Sequence, residues 1–463
     1  MSHSPQLVEW SLSRRVIWIA LLISGALSLA VCYAVATQQL LLGDAAAGWL
    51  YGYVATFSLP AVGAALLVIA ISITLVVALP APDERHEWVV ISTWIVAAIA
   101  MQGLVRFLPP YSMTEIFVSD DANAFYRVTQ MSDARSVLRH FADARATWPL
   151  HAQSNMPGKI MLLFALEALS PSPAVLPWLI VALSSAGGAL MYIFVRDLFR
   201  DRAVGLFSVI LYLFVPARLF FLPLLNTVTP VVFLACACLV LRWLQTGSQW
   251  YAAAAGLAVY GLVFFEPLPL VMGVLFVALI ASAIARRNLQ PARLVIDLAA
   301  GALAFAAAYL FMRLWLDFDL VEALGRVATH AVEFNATAGR PYAYWLRANL
   351  REFVFGVGMC QSVLFLVAIF YTLREAGTKS RNLAAPIAVL STGLAVILLV
   401  TDLLGVNRGE VIRLWIFLAC FFQVPAAYFC AQLRSRAAII VVLSTTILQT
   451  AIGLAMIGFV VLA

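Results

Sequence analysis

Charge is what this sequence has least of: 11% of its 463 residues are Asp, Glu, Lys or Arg, while 64% are hydrophobic. A soluble domain carries about a quarter charged residues, so a water-facing surface is excluded, in keeping with a mean hydropathy of +0.97. Lysine is nearly missing, with Lys159 and Lys379 the only two among 29 basic residues. The six cysteines (Cys32, Cys236, Cys238, Cys360, Cys420, Cys430) all fall in apolar runs, which points away from a disulfide framework or a zinc site. No glycine-rich phosphate cradle appears, which excludes an ordinary nucleotide-handling loop. No internal repeat relates two halves, as it does in many transporters. The net charge of +6 comes from arginines in short connections and calls for no nucleic-acid partner.

What the chain does have is long, unbroken apolar runs rich in Leu, Ala and Val. They predict an all-α, multi-pass membrane protein rather than a barrel, whose strands alternate. About thirteen spans are expected, at 16–36, 53–79, 88–108, 174–195, 203–222, 226–244, 250–265, 267–285, 293–315, 352–373, 383–404, 411–432 and 437–462. The first resembles a signal peptide at Ala34-Val35-Ala36, but its apolar stretch is long enough for a retained anchor. With Arg14 and Arg15 inside, the connections holding Arg85, Arg196/Arg200/Arg202, Arg242, Arg286/Arg287/Arg293, Arg374/Lys379/Arg381 and Arg434/Arg436 all fall on the cytoplasmic side. The N-terminus is then cytoplasmic, and the polar segments at about 109–173 and 316–351 lie outside. Met156–Leu169 is too short to span and reads as an interfacial or re-entrant helix. Residues 121–146 read as a second helix lying at the interface, where Arg135, Arg139 and Arg145 solvate its polar face.

The costliest feature is an adjacent pair of carboxylates, Asp120-Asp121, directly after the third apolar run. The pair can cap the helix that follows it. Crowded carboxylates also suit a general base or a metal ligand. Asn123, Tyr126, His151 and Asn155 follow in the same segment and are candidate substrate contacts. Lys159 either grips a lipid phosphate or snorkels from its short helix. Glu266, at a proline-marked break in an apolar stretch, joins Arg218 and Asn226 at outward-facing span ends. The second polar segment contributes His330, Arg340 and the aromatics Tyr342, Tyr344 and Trp345, either an interfacial belt or a sugar platform. Asn335-Ala-Thr337 matches a glycosylation acceptor. Arg408, Glu410 and Arg413 open the penultimate span; Arg413 either pairs with Glu410 or binds phosphate.

The order of these features resembles the GT-C superfamily of integral-membrane glycosyltransferases. The likeness rests on the loop entered through Asp120-Asp121 and on the Asn155-Met156-Pro157-Gly158-Lys159 entry to a short apolar helix. Two departures stand out: the acidic pair follows the third span rather than the first, and Met156-Pro157-Gly158 replaces the usual Pro-Pro-Leu entry. The resemblance implies a GT-C-like fold in which residues 1–87 form two additional helices. Residues 88–316 would form the catalytic module, and residues 317–463 the second outer loop and the C-terminal helices. It implies transfer of a sugar, with inversion, from a polyprenyl-phosphate donor to a lipid, glycan or protein acceptor outside a bacterial plasma membrane. Asp120 or Asp121 would be catalytic, with Arg413, Arg408, Lys159 and Arg340 offered to the donor phosphate. A divalent cation, magnesium or manganese, would draw on Asp120, Asp121, Glu266 and His330. The rival expectation is a transporter or lipid flippase.

Overall fold

A computed structural model describes residues 13–57, 59–80, 83–108, 110–285, 290–376 and 385–460. Of the basic residues in the short connections, Arg286, Arg287, Lys379 and Arg381 lie outside these ranges. The helices are α1 (Arg14–Ala36), α2 (Leu59–Ala78), α3 (Glu87–Arg106), α4 (Gly158–Leu169), α5 (Leu176–Phe199), α6 (Arg202–Leu213), α7 (Thr229–Thr246) and α8 (Gln249–Phe265). They continue as α9 (Gly273–Ala285), α10 (Pro291–Leu316), α11 (Leu320–Thr337), α12 (Tyr342–Val357), α13 (Met359–Ala376), α14 (Pro386–Leu404), α15 (Gln423–Gln432) and α16 (Arg436–Met456). Among the described residues, ten helical segments are long and apolar enough to cross a membrane, or eleven with the bent pair α12–α13. The chain is thus a multi-pass membrane protein.

The expected span at 352–373 is corrected by the structure. Residues 342–357 belong to α12, and the apolar helix starts only at Met359, after a bend of 109°. Gly358 makes the bend: its φ is +102°, and a Cβ there would lie 2.4 Å from Gln361 Oε1, so only glycine fits. Two other expected spans, 250–265 and 411–432, form the shorter apolar helices Gln249–Phe265 and Ile416–Gln432.

Charges sort to opposite ends of the bundle. At one end Arg196 bonds Glu87 at 3.0 Å and Asp197 at 2.9 Å, Arg202 bonds Glu84 at 2.8 Å, and Arg242 bonds Asp197 at 3.0 Å. Arg436 of α16 reaches the last carbonyls of α2 from the same side, with Nη1 2.6 Å from the Val77 carbonyl. The connections holding Arg196, Arg202, Arg242 and Arg436 therefore share one end.

The polar segment after α3 sits at the other end. It does not form one long interfacial helix over 121–146, as expected. It folds as short helices, Asp120–Asn123, Phe125–Met131, Ala134–Arg139 and Phe141–Ala144. Asp133 ends one turn and caps the next, accepting from the amides of Arg135 and Ser136, a use of Asp that competes with helix continuation. These turns bury Phe117, Phe125, Val128, Phe141 and Trp148 on Met156, Leu163, Phe265 and Phe318, a core separate from the main bundle. Buried apolar contacts, beyond any lipid surface, hold this segment in shape.

Between α1 and α2 a small hairpin pairs β1 (Leu42–Asp44) with β2 (Trp49–Tyr51). It grips α12 and the second polar segment: Trp345 Nε1 donates to the Ala47 carbonyl at 2.9 Å, and the Arg340 guanidinium lies 5.4 Å from the Trp49 ring centre. α1 packs on α13 and α16, and α2 on α16 and α3.

Candidate functional site

The Met156-Pro157-Gly158 entry seats α4 against the end of α8. A Cβ on Gly158 would meet the Phe264 carbonyl at 2.6 Å, so glycine is required for this approach. Lys159 is consequently fully buried, and its Nζ lies 2.9 Å from Glu266 Oε2 and 2.8 Å from Asn155 Oδ1. Glu266 stands where α8 stops, and it also accepts from the Thr229 hydroxyl at the start of α7. Lys159 and Glu266 are a closed, buried ion pair that joins three helix ends.

A second cluster forms where the chain turns into Val411–Leu414. Glu410 has a φ of 59°, an uncommon conformation for a residue with a Cβ. Its carboxylate bridges two guanidiniums, with Arg340 at 2.8 Å on one oxygen and Arg413 on the other. Burial raises the pKa of Glu410, but Arg413 and Arg340 together outweigh burial and hold it below the ordinary glutamate range. Two cations on one carboxylate leave the group with one net positive charge.

Arg413 Nη1 also faces His151 Nε2 at 3.1 Å. A guanidinium only donates, so Nε2 must accept and the imidazole proton sits on the other nitrogen, where the Asp121 carbonyl takes a hydrogen bond. Burial and then Arg413 push the His151 pKa down to about 3. Unfolded, it would titrate near 6.5. Below that pH the unfolded chain takes up a proton that the folded chain refuses, so stability falls with acidification from pH 6.5 towards 3. Acidifying from pH 7 to 5 should cost up to about 2 kcal/mol through this residue. His151→Gln should flatten that part of the melting-temperature profile in detergent; an unchanged profile would refute the assignment.

His151 and Arg413 line a narrow cleft with Asn123, Asn155, Asn226 and Leu414. Asn123 donates to the Phe117 carbonyl at 2.9 Å, and its buried Oδ1 has no partner. Tyr126 packs on Phe117 with ring centres 4.8 Å apart. The acidic pair stands beside the cleft, since Ala122 and Asn123 line it while neither aspartate does. Asp120 is held by Arg127, whereas Asp121 is exposed and its carboxylate bonds no described residue.

Several residues singled out in the sequence have structural partners. Arg218 is fully buried; its two Nη atoms donate to Ser184 Oγ at 3.0 Å and to the Leu213 carbonyl at 2.8 Å. α6 ends at Leu213, just ahead of Pro216, and that carbonyl also takes Gln102 Nε2 at 2.8 Å. Arg218 thus mends a helix break. Arg408 donates to the carbonyls of Gly405 and Arg340 and covers the Tyr342 ring at 5.4 Å. The Tyr342 hydroxyl bonds the Leu403 carbonyl, Trp345 is fully buried, and Tyr344 packs edge-on against Trp345. These aromatics thus pack on the chain itself, a use that neither reading anticipated. Asn335 is buried, with its amide donating to Ala331 and Val406 carbonyls, so the acceptor motif is closed to modification in this fold.

Of the four residues named for a divalent cation, two already have ion-pair partners. Asp120 is paired with Arg127 and Glu266 with Lys159, while His330 has an unpartnered Nε2 and a pKa lowered by burial and by Arg145. Among the described residues no group of three or more His, Cys, Asp or Glu side chains could hold a metal ion. Sequence reasoning also missed Glu352, buried with its carboxylate near the Val411 amide, and the Asn349–Asp402 contact at 3.1 Å. Glu352 is the one acidic residue of the amphipathic α12, and Asp402 is the one acidic residue of the apolar α14, where a lone carboxylate is itself the signal. Compared with protein-family models and with curated proteins, the chain matches none.

Proposed function

We propose that this protein is a membrane glycosyltransferase that moves a sugar from a polyprenyl-phosphate donor to an acceptor hydroxyl at the outer face. The observation that carries this reading is the proximity, at one end of an apolar bundle, of a carboxylate unpaired among the described residues, which stands beside a polar cleft, and a net cation whose Arg413 lines that cleft. Asp121 is the carboxylate and the Arg413–Glu410–Arg340 group is the cation. Asp121 rather than Asp120 is the better base, because Asp120 is already engaged by Arg127.

In this mechanism the acceptor oxygen attacks the anomeric carbon and its proton passes to the Asp121 carboxylate. The bond from anomeric carbon to phosphate oxygen breaks, and the lipid phosphate departs with the electron pair. Arg413 faces the charge that develops there, oriented by Glu410 and by a neutral His151. One displacement inverts the anomeric centre. Lys159, fully spent on Glu266, serves to position the loop. A transporter would want ionisable groups free near mid-bundle; the buried Arg218 is instead bound through both Nη atoms.

Asp121→Asn should lower transfer from a radiolabelled polyprenyl-phosphate sugar by about 10²–10⁴-fold, the range of a lost general base. Asp120→Asn should lose less, since Arg127 and the loop remain. Full activity in both variants would end the acidic-base reading.

A further inference from the structure

Glu352 is the one acidic residue of α12, the amphipathic helix that bends 109° away from the apolar α13. Its side chain is fully buried, and its carboxyl lies near the Val411 amide. That places it at the start of the turn that carries Arg413. The preceding residue is Glu410, whose carboxylate already bridges Arg340 and Arg413. Two carboxyls and two guanidiniums therefore share one region, and the charge of the group depends on Glu352. With Glu352 neutral the group carries one net positive charge; with Glu352 ionised it carries none.

The charged neighbours of Glu352 are Glu410, Arg340 and Arg351, and Tyr51 faces it from the hairpin. Burial is the largest influence and favours the neutral acid, and Glu410 acts in the same direction. The Val411 amide, Arg351 and Arg340 favour the carboxylate. Arg351 is exposed, however, and Arg340 is already committed to Glu410 at 2.8 Å. Tyr51 adds no charge, because burial and then Glu352 push its phenol well above the ordinary tyrosine range. The balance lifts the Glu352 carboxyl to about 8, so the acid is mostly protonated at neutral pH.

We propose that Glu352 sets the charge of the Arg340–Glu410–Arg413 group. As a neutral acid it leaves Glu410 alone to face two guanidiniums, and as a carboxylate it would cancel the positive charge that remains. Glu352 does not line the cleft; it is a positioning residue that acts through Arg413. Its effect on turnover rests on the sugar-transfer reading above, whereas its protonation does not.

Glu352→Gln, an isosteric stand-in for the neutral acid, tests this in detergent. Unfolded Glu352 ionises at about 4.3, while the folded residue keeps its proton to about 8. Parent stability therefore falls as pH rises between those values. The variant has no such proton, so it should melt above the parent by a margin that widens from pH 5 to 8 and then levels off. In transfer assays with the radiolabelled polyprenyl-phosphate sugar, the parent should lose about tenfold in rate between pH 7 and 9. Glu352→Gln should lack that alkaline loss. A melting margin that does not change with pH would overturn the proposal, and so would equal alkaline losses of transfer in parent and variant. No transfer by either protein at any pH would sink the glycosyltransferase reading instead, and the melting margin would then decide alone where the proton sits.

Discussion

Gly256→Val should cost this protein its detergent-stable fold, whereas Gly261→Val, five residues along the same helix, should be tolerated. Gly256 lies where α8 crosses α10, and a Cβ there would stand 2.0 Å from the Gly301 carbonyl oxygen. The obstacle is backbone, so no rotamer change relieves it. Gly261 has open space around the same position. Small residues let membrane helices approach until their backbones touch, and α10 needs this: it packs mainly along α8 and is otherwise almost wholly exposed. Overpacking a tight seam costs about 1–3 kcal/mol when side chains can shift and more when they cannot. Melting temperatures of both variants, measured by loss of monodisperse protein, check the claim. Indistinguishable values would mean that α8 and α10 do not meet at this glycine.

Lys159→Met should destabilise the protein by about 3–5 kcal/mol, the usual outcome when one member of a buried ion pair is removed. The methionine fills much the same space, so the loss comes from Glu266, left charged and buried with only the Thr229 hydroxyl. Adding Glu266→Gln to Lys159→Met should recover most of the loss, because the second charge then goes and an amide keeps a bond to Thr229. The expected coupling is therefore large and restoring. Strictly additive losses would show that the two side chains do not share a partner. The cation also lies 5.8 Å from the Phe125 ring centre and 5.9 Å from that of Phe265, so a small residual loss is expected in the double variant.

How much of this was visible in the sequence depends on the range of the interaction. The break at Glu266, the short helix after Pro157 and the i, i+3 pair Glu410–Arg413 are local, and each is present. The turn structure of 121–146 was hidden because its apolar residues fit a helical face equally well. Asp133 and His140 cut that face into short helices, an outcome settled by packing on Phe265 and Phe318. Partner choice was the least legible. Lys159 and Arg340 read as free cations for a phosphate, yet one is matched by Glu266 and the other by Glu410 and the Trp49 ring. Arg106 was overlooked for the opposite reason: an arginine closing an apolar run looks like an ordinary membrane-edge residue until its burial is seen.

The order in which the chain is made gives the hairpin and the first two helices another meaning. α1 and α2 leave the ribosome before the other described helices, yet α1 packs on α13 and α16, α2 packs mainly on α16, and the Val54 amide donates to the Met456 carbonyl at 3.0 Å. Every helix as far as α16 must be inserted before these early helices find all their seats. Until then their own apolarity keeps them in the lipid, and Arg340 lacks the Trp49 ring that later covers it. Assembly thus closes as a ring rather than growing from one end, and the last turns of α16 are the clasp. Truncations at either terminus should therefore harm the same place: the end of the bundle where Trp49, Arg340 and Glu410 meet.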